Sequence, residues 1–186
     1  LAGYLPPGVI LVLDEAYYEY VNDKHYPDSL QHLRKEKDVI IFRTFSKIYG
    51  LAGLRLGYGM TRPDYVRQME KIREPFAANR VVQAGALEAL ADSEFIRQVN
   101  DVYQEGKEVI CSGLEKLGIS YVPTEANFIF LDTGRNCQAV FQALLLRGVI
   151  VRTGDIFGYP TFIRVTVGTQ PENERFIKSL QQVLAV

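Results

Sequence analysis

A chain of 186 residues, 47% hydrophobic and 23% charged, has room for one ordinary domain or two small ones. Its net charge of −1 gives no electrostatic ground for expecting nucleic acid or an anionic membrane as a partner, and no apolar run reaches the length of a bilayer span. Leu1 to Gly8 lack the basic start and apolar core of a signal peptide, and they lack an initiator Met, so the chain is expected to begin inside a larger protein. Cys111 and Cys137 have no metal-ligand spacing; they read as reduced, buried thiols of a cytoplasmic protein, with no metal site.

In chain order, Val9 to Leu13 is a continuous apolar run ending in Asp14-Glu15, and Val39 to Phe42 is a second, ending in Arg43-Thr44. Such runs predict strands buried on both faces of a mostly parallel sheet. A crossover helix is expected between them, about Leu30 to Lys37, and a glycine-rich third strand over Leu54 to Gly59. This order predicts an α/β layer. Thr61, three residues before Asp64 and followed closely by Pro63, predicts a capped helix running to about Arg73, where Pro75 interrupts. Further helices are expected from about Asn79 to Ala91 and, capped by Ser93, from Glu94 to Leu117, with Gly118 as the stop.

From Ser120 onward the pattern is strand, strand, helix, strand, strand, helix. Strands are expected at Tyr121-Val122, Phe128 to Leu131, Val149 to Val151 and Phe162 to Val167. Helices are expected at Asn136 to Arg147 and Pro171 to Leu184, the second opened by a Thr169–Glu172 capping box. This half reads as a small α+β domain. The expected organisation is residues 1–92 in a larger α/β domain, 93–118 as a connecting helix, and 119–186 as the small domain.

Three short segments carry chemistry. Asp14 follows a buried strand, where ligands bind in open α/β sheets, and Tyr17 comes three residues later; together they can hold a cationic ring nitrogen and a phenolic oxygen. Lys47 follows the second strand in Thr44-Phe45-Ser46-Lys47, and an apolar neighbourhood favours the neutral amine needed to form an imine. Arg55 lies eight residues on, in Gly50-Leu51-Ala52-Gly53-Leu54-Arg55-Leu56-Gly57. Its fork, with the hydroxyls of Thr44 and Ser46, suits a phosphate. Taken singly, Asp14 is more simply a turn cap, Tyr17 a packing residue, Lys47 a solvated charge and the glycines a packing device. His25 and His32 sit in a polar stretch and read as solvated surface.

Asp14-x-x-Tyr17, Thr44-x-Ser46-Lys47 and Gly50-Leu51-Ala52-Gly53-Leu54-Arg55-x-Gly57 together resemble the fold-type I pyridoxal-phosphate aminotransferases, and most closely their histidinol-phosphate aminotransferase branch. The resemblance implies that Lys47 forms the Schiff base with pyridoxal 5'-phosphate and that Asp14 pairs with the pyridine nitrogen. It further implies that Tyr17 bonds the 3′ oxygen and that Thr44, Ser46 and Arg55 hold the phosphate. Ala126-Asn127-Phe128, Val151-Arg152-Thr153-Gly154 and Ile163-Arg164-Val165-Thr166-Val167-Gly168-Thr169 resemble the family's small domain. There Arg164 matches the arginine for the substrate carboxylate and Arg152 a second basic residue near the substrate's anionic end. Both arginines are expected to face one pocket. The resemblance spans essentially the whole chain but matches only the carboxy-terminal half of the family. It implies an upstream phosphate loop, a ring-stacking aromatic and a homodimer with a tyrosine shared between subunits.

The implied reaction takes histidinol phosphate and 2-oxoglutarate to imidazole acetol phosphate and glutamate. A broad aromatic aminotransferase, a decarboxylase of the same fold and an inactive part-length protein remain open as alternatives.

Overall fold

The computed structural model describes residues 5–35 and 38–185. These form two compact units that divide between Ile96 and Arg97.

The first unit holds a three-stranded sheet, β1 (Leu11–Asp14), β2 (Val39–Thr44) and β3 (Gly57–Met60), in that spatial order. β1 runs parallel to β2, with Asp14 opposite Phe42, whereas β3 runs antiparallel to β2, with Gly57 opposite Thr44. The expected mostly parallel sheet is therefore mixed among the described residues. Burial on both faces holds only for Val39, Ile40 and Ile41. β1 alternates between half-buried and exposed residues, as an edge strand with one covered face does.

The crossover helix α1 covers Leu30–Arg34, and residues 36 and 37 of its expected span lie outside the described residues. The third strand starts three residues later than Leu54. Residues Ala52–Leu54 form a 3-10 turn, and Arg55 takes the left-handed conformation at φ 53°, so pairing resumes only at Gly57. Gly57 is required there, because a Cβ would stand 2.8 Å from the Arg43 carbonyl oxygen.

α2 (Pro63–Glu70) is capped differently from expectation. Arg62, held extended ahead of Pro63, is the cap residue, and the Thr61 hydroxyl instead donates to the Val39 carbonyl at 2.7 Å. α3 (Arg80–Ala91) forms over the expected stretch and is capped by Asn79, whose side chain accepts from the Val82 amide.

α4 (Ser93–Lys116) opens at the end of the first unit, and from Arg97 on belongs to the second. Asp92 rather than Ser93 supplies its cap, accepting from the Phe95 amide at 2.9 Å. Gly118, at φ 69°, ends the turn that follows, where the Ile119 amide returns to the Leu114 carbonyl.

The second unit is a four-stranded antiparallel sheet in the order β4 (Tyr121–Val122), β5 (Phe128–Asp132), β7 (Phe162–Thr166), β6 (Arg152–Thr153). The expected strand at Val149 to Val151 is displaced to Arg152–Thr153. The preceding turn, with Gly148 left-handed, delays pairing until Arg152 meets Arg164. Period-two alternation sends Ile129, Leu131, Ile163 and Val165 to one face. They join Ile110 and Leu114 of α4, Val140 and Leu144 of α5 (Cys137–Leu145), and Phe176, Leu180 and Val183 of α6 (Gln170–Leu184) in one core. Each fully buried Leu or Ile there contributes about 1.5–3 kcal/mol. The Thr169–Glu172 capping box forms at the start of α6 as the sequence predicts. Phe128, Phe130, Phe162 and Arg164 are left on the opposite face of the sheet.

Candidate active site

Asp14 ends β1 and Thr44 ends β2, so the residues singled out in the first unit meet beyond the carboxyl ends of two parallel strands. Ligands bind at such ends because the chain leaves the sheet there and loop residues from adjacent strands converge. Asp14 is exposed, and one carboxylate oxygen accepts from the Ala16 amide at 3.1 Å, which shapes the turn that carries Tyr17. Past β2, the Lys47 Nζ lies 5.2 Å from the centroid of the Tyr17 ring, inside cation–π range. Residues from both strand ends are thereby brought together.

A second group of contacts joins Thr44, Ser46 and Arg55. The Ser46 amide donates to the Thr44 hydroxyl oxygen at 3.0 Å, and Arg55 Nη1 lies 3.4 Å from Ser46 Oγ. The same Arg55 nitrogen donates to the Ala52 carbonyl at 2.9 Å. Left-handed backbone at Arg55 is uncommon for a residue with a side chain, and here it turns the guanidinium back toward Ser46. Two hydroxyls and a guanidinium within one turn make a donor set suited to a phosphate. The apolar anchors Phe45 and Ile48, both buried, flank Ser46 and Lys47 and fix the loop from beneath.

In the second unit, Arg152 and Arg164 are register partners across β6 and β7, which places both on the sheet face turned away from the core. Arg164 lines a groove of about 430 Å³ with Val122, Phe128, Phe130 and Phe157, and its guanidinium carbon sits 4.7 Å over the Phe128 ring. An aromatic cluster around Phe130 builds one wall, with Phe162 at 4.8 Å and Tyr159 at 5.5 Å between ring centroids. Arg152 is exposed on the edge strand, beside this groove rather than among the side chains that line it.

A buried polar cluster was not anticipated. Glu15, only 4% exposed, is bound by Arg43 through Nη2 at 2.9 Å and Nε at 3.0 Å, and the Ser29 hydroxyl donates to its other oxygen. The Arg43 guanidinium lies 3.5 Å over the Tyr18 ring. Burial works against the Arg43 charge, but hydrogen bonds to Glu15 and Tyr58 outweigh it and raise its pKa. Burial also raises the Glu19 carboxyl and pushes Tyr49, its hydrogen-bond partner, up to about 12. The sequence did contain a signal for this pair: a second acid, Glu15, just beyond the first apolar run and an arginine directly after the next, which the parallel register of Asp14 with Phe42 sets side by side.

A sequence profile of the class I and II aminotransferases matches residues 6–180. The chain belongs to the class I and II aminotransferases. Within that family it is 53% identical to the histidinol-phosphate aminotransferase of Moorella thermoacetica over 100% of its own length and 49% of that protein's. It is 46% identical to the histidinol-phosphate aminotransferase of Geobacillus sp. (strain WCH70), over 97% of its length and 49% of the relative's. Among solved structures, histidinol-phosphate aminotransferase from Sinorhizobium meliloti, in complex with pyridoxal-5'-phosphate, is 30% identical. It superposes with a TM-score of 0.86 over 99% of this chain and 51% of that one. This aminotransferase chain thus spans about half the length of the relatives it matches, and its α/β fold is theirs. Among the described residues no helix is long and apolar enough to cross a membrane.

Proposed function

We propose that the whole protein is a pyridoxal-5'-phosphate-dependent aminotransferase of histidine biosynthesis, taking histidinol phosphate and 2-oxoglutarate to imidazole acetol phosphate and glutamate. The convergence of Lys47, Tyr17, Thr44, Ser46 and Arg55 beyond the ends of β1 and β2 carries this reading. The kinship with histidinol-phosphate aminotransferases supports the substrate pair. The reading includes a cytoplasmic homodimer with a small amino donor and a 2-oxo acid acceptor, and neither nucleic acid nor membrane as partner.

The residues present fit the cofactor. Thr44, Ser46 and Arg55 offer clustered donors for its phosphate, Lys47 supplies an amine beside the Tyr17 ring, and the Asp14 carboxylate stands at the neighbouring strand end. When bound, pyridoxal 5'-phosphate supplies the electron sink that stabilises negative charge left on the substrate α-carbon. The chain's own side chains do the rest. Lys47 Nζ would hold the cofactor and, as a free amine, would take up the substrate α-proton as a general base. Asp14 would keep a proton on the ring nitrogen through a charge-assisted hydrogen bond, and Tyr17 would offer its hydroxyl to the phenolic oxygen. Arg164 orients the substrate by the carboxylate of glutamate or by the phosphate that replaces it in histidinol phosphate, and the apolar wall of Phe128, Phe130 and Phe157 lowers the local dielectric around that contact. Arg152, on the same sheet face, supplies a second positive charge for the phosphate end of histidinol phosphate.

Borohydride reduction of the full-length enzyme, followed by peptide mapping, tests the reading. The cofactor's mass is expected on the Lys47 peptide and is lost in Lys47→Ala. Recovery of the adduct on Lys71, an exposed lysine bonded to Gln68 at 2.8 Å, overturns the assignment. Product analysis with a carboxylated donor such as phenylalanine then separates transamination, which yields glutamate from 2-oxoglutarate, from decarboxylation, which releases carbon dioxide and yields no glutamate.

A further inference from the structure

β1 and β2 each end in two consecutive polar residues, Asp14-Glu15 and Arg43-Thr44, and strand pleating sends the members of each pair to opposite faces. Asp14 is exposed together with its register partner Phe42 on one face. Glu15 and Arg43 are turned to the other, where Glu15 is almost fully buried. There Arg43 Nε donates to one carboxylate oxygen at 3.0 Å, Nη2 lies within ion-pair range of that same oxygen at 2.9 Å without forming a hydrogen bond, and Ser29 donates to the other oxygen. The backbone adds a third tie at this level, as the Glu15 amide donates to the Phe42 carbonyl at 2.8 Å. Tyr18 closes the far side of the guanidinium by stacking. Ser29 is the N-cap residue just before α1, yet its hydroxyl caps nothing. Asp28 accepts from the Leu30 amide instead, and Ser29 is spent on Glu15.

We propose that Glu15 and Arg43 are a positioning pair. They clamp the ends of β1 and β2 from behind the sheet and so fix the spacing and tilt between Asp14 on one strand and Thr44, Ser46 and Lys47 on the other. Neither residue touches the reacting groups. The inference rests on the reading of Asp14 and Lys47 as cofactor contacts. Its physical basis is that a buried ion pair, tied by the Nε hydrogen bond and enclosed by Ser29 and Tyr18, resists shear between the strand ends more than the backbone bond alone. Small errors in placement are amplified in rate: a displacement of about 1 Å can lower turnover about a hundredfold. The ionisable groups packed around the pair are Glu19, Tyr18, Tyr26, Tyr49 and Tyr58, so removal of either partner leaves the other's charge facing tyrosines and a carboxyl.

The test uses the full-length holoenzyme carrying Glu15→Gln, Arg43→Lys, or Glu15→Gln with Arg43→Gln. Three measurements are made on each: kcat and KM separately, the visible circular dichroism of the bound cofactor, and the thermal midpoint. Glu15→Gln is expected to lower kcat about ten- to a hundredfold, with KM changed less than about threefold, and to alter the cofactor's dichroic signal. Arg43→Lys, which keeps the charge but loses the fork, is expected to fall between the parent and Glu15→Gln. The double variant is expected to be no slower than the Glu15→Gln single variant, because one contact is lost in both. A lower thermal midpoint with unchanged kcat and dichroism overturns the clamp and leaves only a structural ion pair. Multiplying effects in the double variant overturn it too. Borohydride labelling of the parent keeps the two readings apart. Absence of the adduct from Lys47 overturns both, whereas a labelled Lys47 with an indifferent Glu15→Gln overturns the clamp alone.

Discussion

The two arginines of the second unit are expected to divide the work of substrate recognition unequally. Arg164 stands in an apolar groove with its guanidinium stacked on Phe128 at 4.7 Å, so any carboxylate it binds is shielded from water. A hydrogen bond to a charged group contributes about 1.5–3 kcal/mol, which corresponds to about ten- to more than a hundredfold in kcat/KM. Arg164→Ala is expected to lose that much with every amino donor, because every donor carries the carboxylate or its phosphate counterpart. Arg164→Lys is expected to recover only part of it, since lysine keeps the charge but loses the planar fork and the stacking geometry. Arg152 lies directly across the β6–β7 ladder, exposed at the sheet edge, and reaches the same face. Its contact is more solvated, and it becomes useful only for a ligand with charge left over after Arg164 is satisfied. A phosphate monoester is such a ligand; phenylalanine is not. Arg152→Ala is therefore expected to reduce kcat/KM for histidinol phosphate about tenfold and to leave phenylalanine nearly unchanged. Steady-state kinetics of the full-length enzyme with both donors decides the matter. Equal losses for the two donors would refute the reasoning and favour a broad aromatic aminotransferase.

Other expected outcomes follow from single side chains. Asp14→Asn removes a charge-assisted hydrogen bond of about 1.5–3 kcal/mol, so proton abstraction slows at least about tenfold while the cofactor stays bound; single-turnover spectra measure this, and an unchanged rate discards the role. Arg55→Gly relieves about 1 kcal/mol of left-handed strain but adds unfolded-state freedom of similar size. Thermal stability should then hardly move, while cofactor titration shows affinity about tenfold weaker or more. At Glu172 the Thr169 hydroxyl and amide hold the carboxyl below its ordinary range. Its contribution is thus present above the ordinary carboxylate pKa and is lost as pH falls through the lowered folded-state value. Glu172→Gln should flatten that part of the acid limb in melting curves recorded against pH, and an unaltered limb would show that the capping box is silent.

The two halves of the candidate site depend on structure to different degrees. Thr44, Ser46 and Lys47 are neighbours in the chain, so a turn after a strand suffices to gather them. Tyr17 reaches Lys47 only because β1 and β2 pair in parallel with Asp14 opposite Phe42. Arg55 reaches Ser46 only because its own backbone is left-handed, which no composition rule for arginine foretells.

Amino-acid order alone determined the two apolar runs, the helix with its capping box at Thr169, the apolar segment Phe128 to Leu131, and the motif residues Asp14, Tyr17, Lys47 and Arg55. Each of these depends on local sterics, on hydrophobic periodicity or on a short polar pattern, and all are written within a few consecutive residues. Tertiary structure alone decided where the third strand begins, since the Gly57 approach to the Arg43 carbonyl and the turn at Arg55 set that register. It likewise assigned the caps at Arg62 and Asp92, after Thr61 was drawn away to the Val39 carbonyl. Above all it brought Glu15 and Arg43, 28 residues apart, into a buried pair. A buried charge is tolerated only when an opposite charge and hydrogen bonds meet it, and whether they do depends on which strands lie side by side.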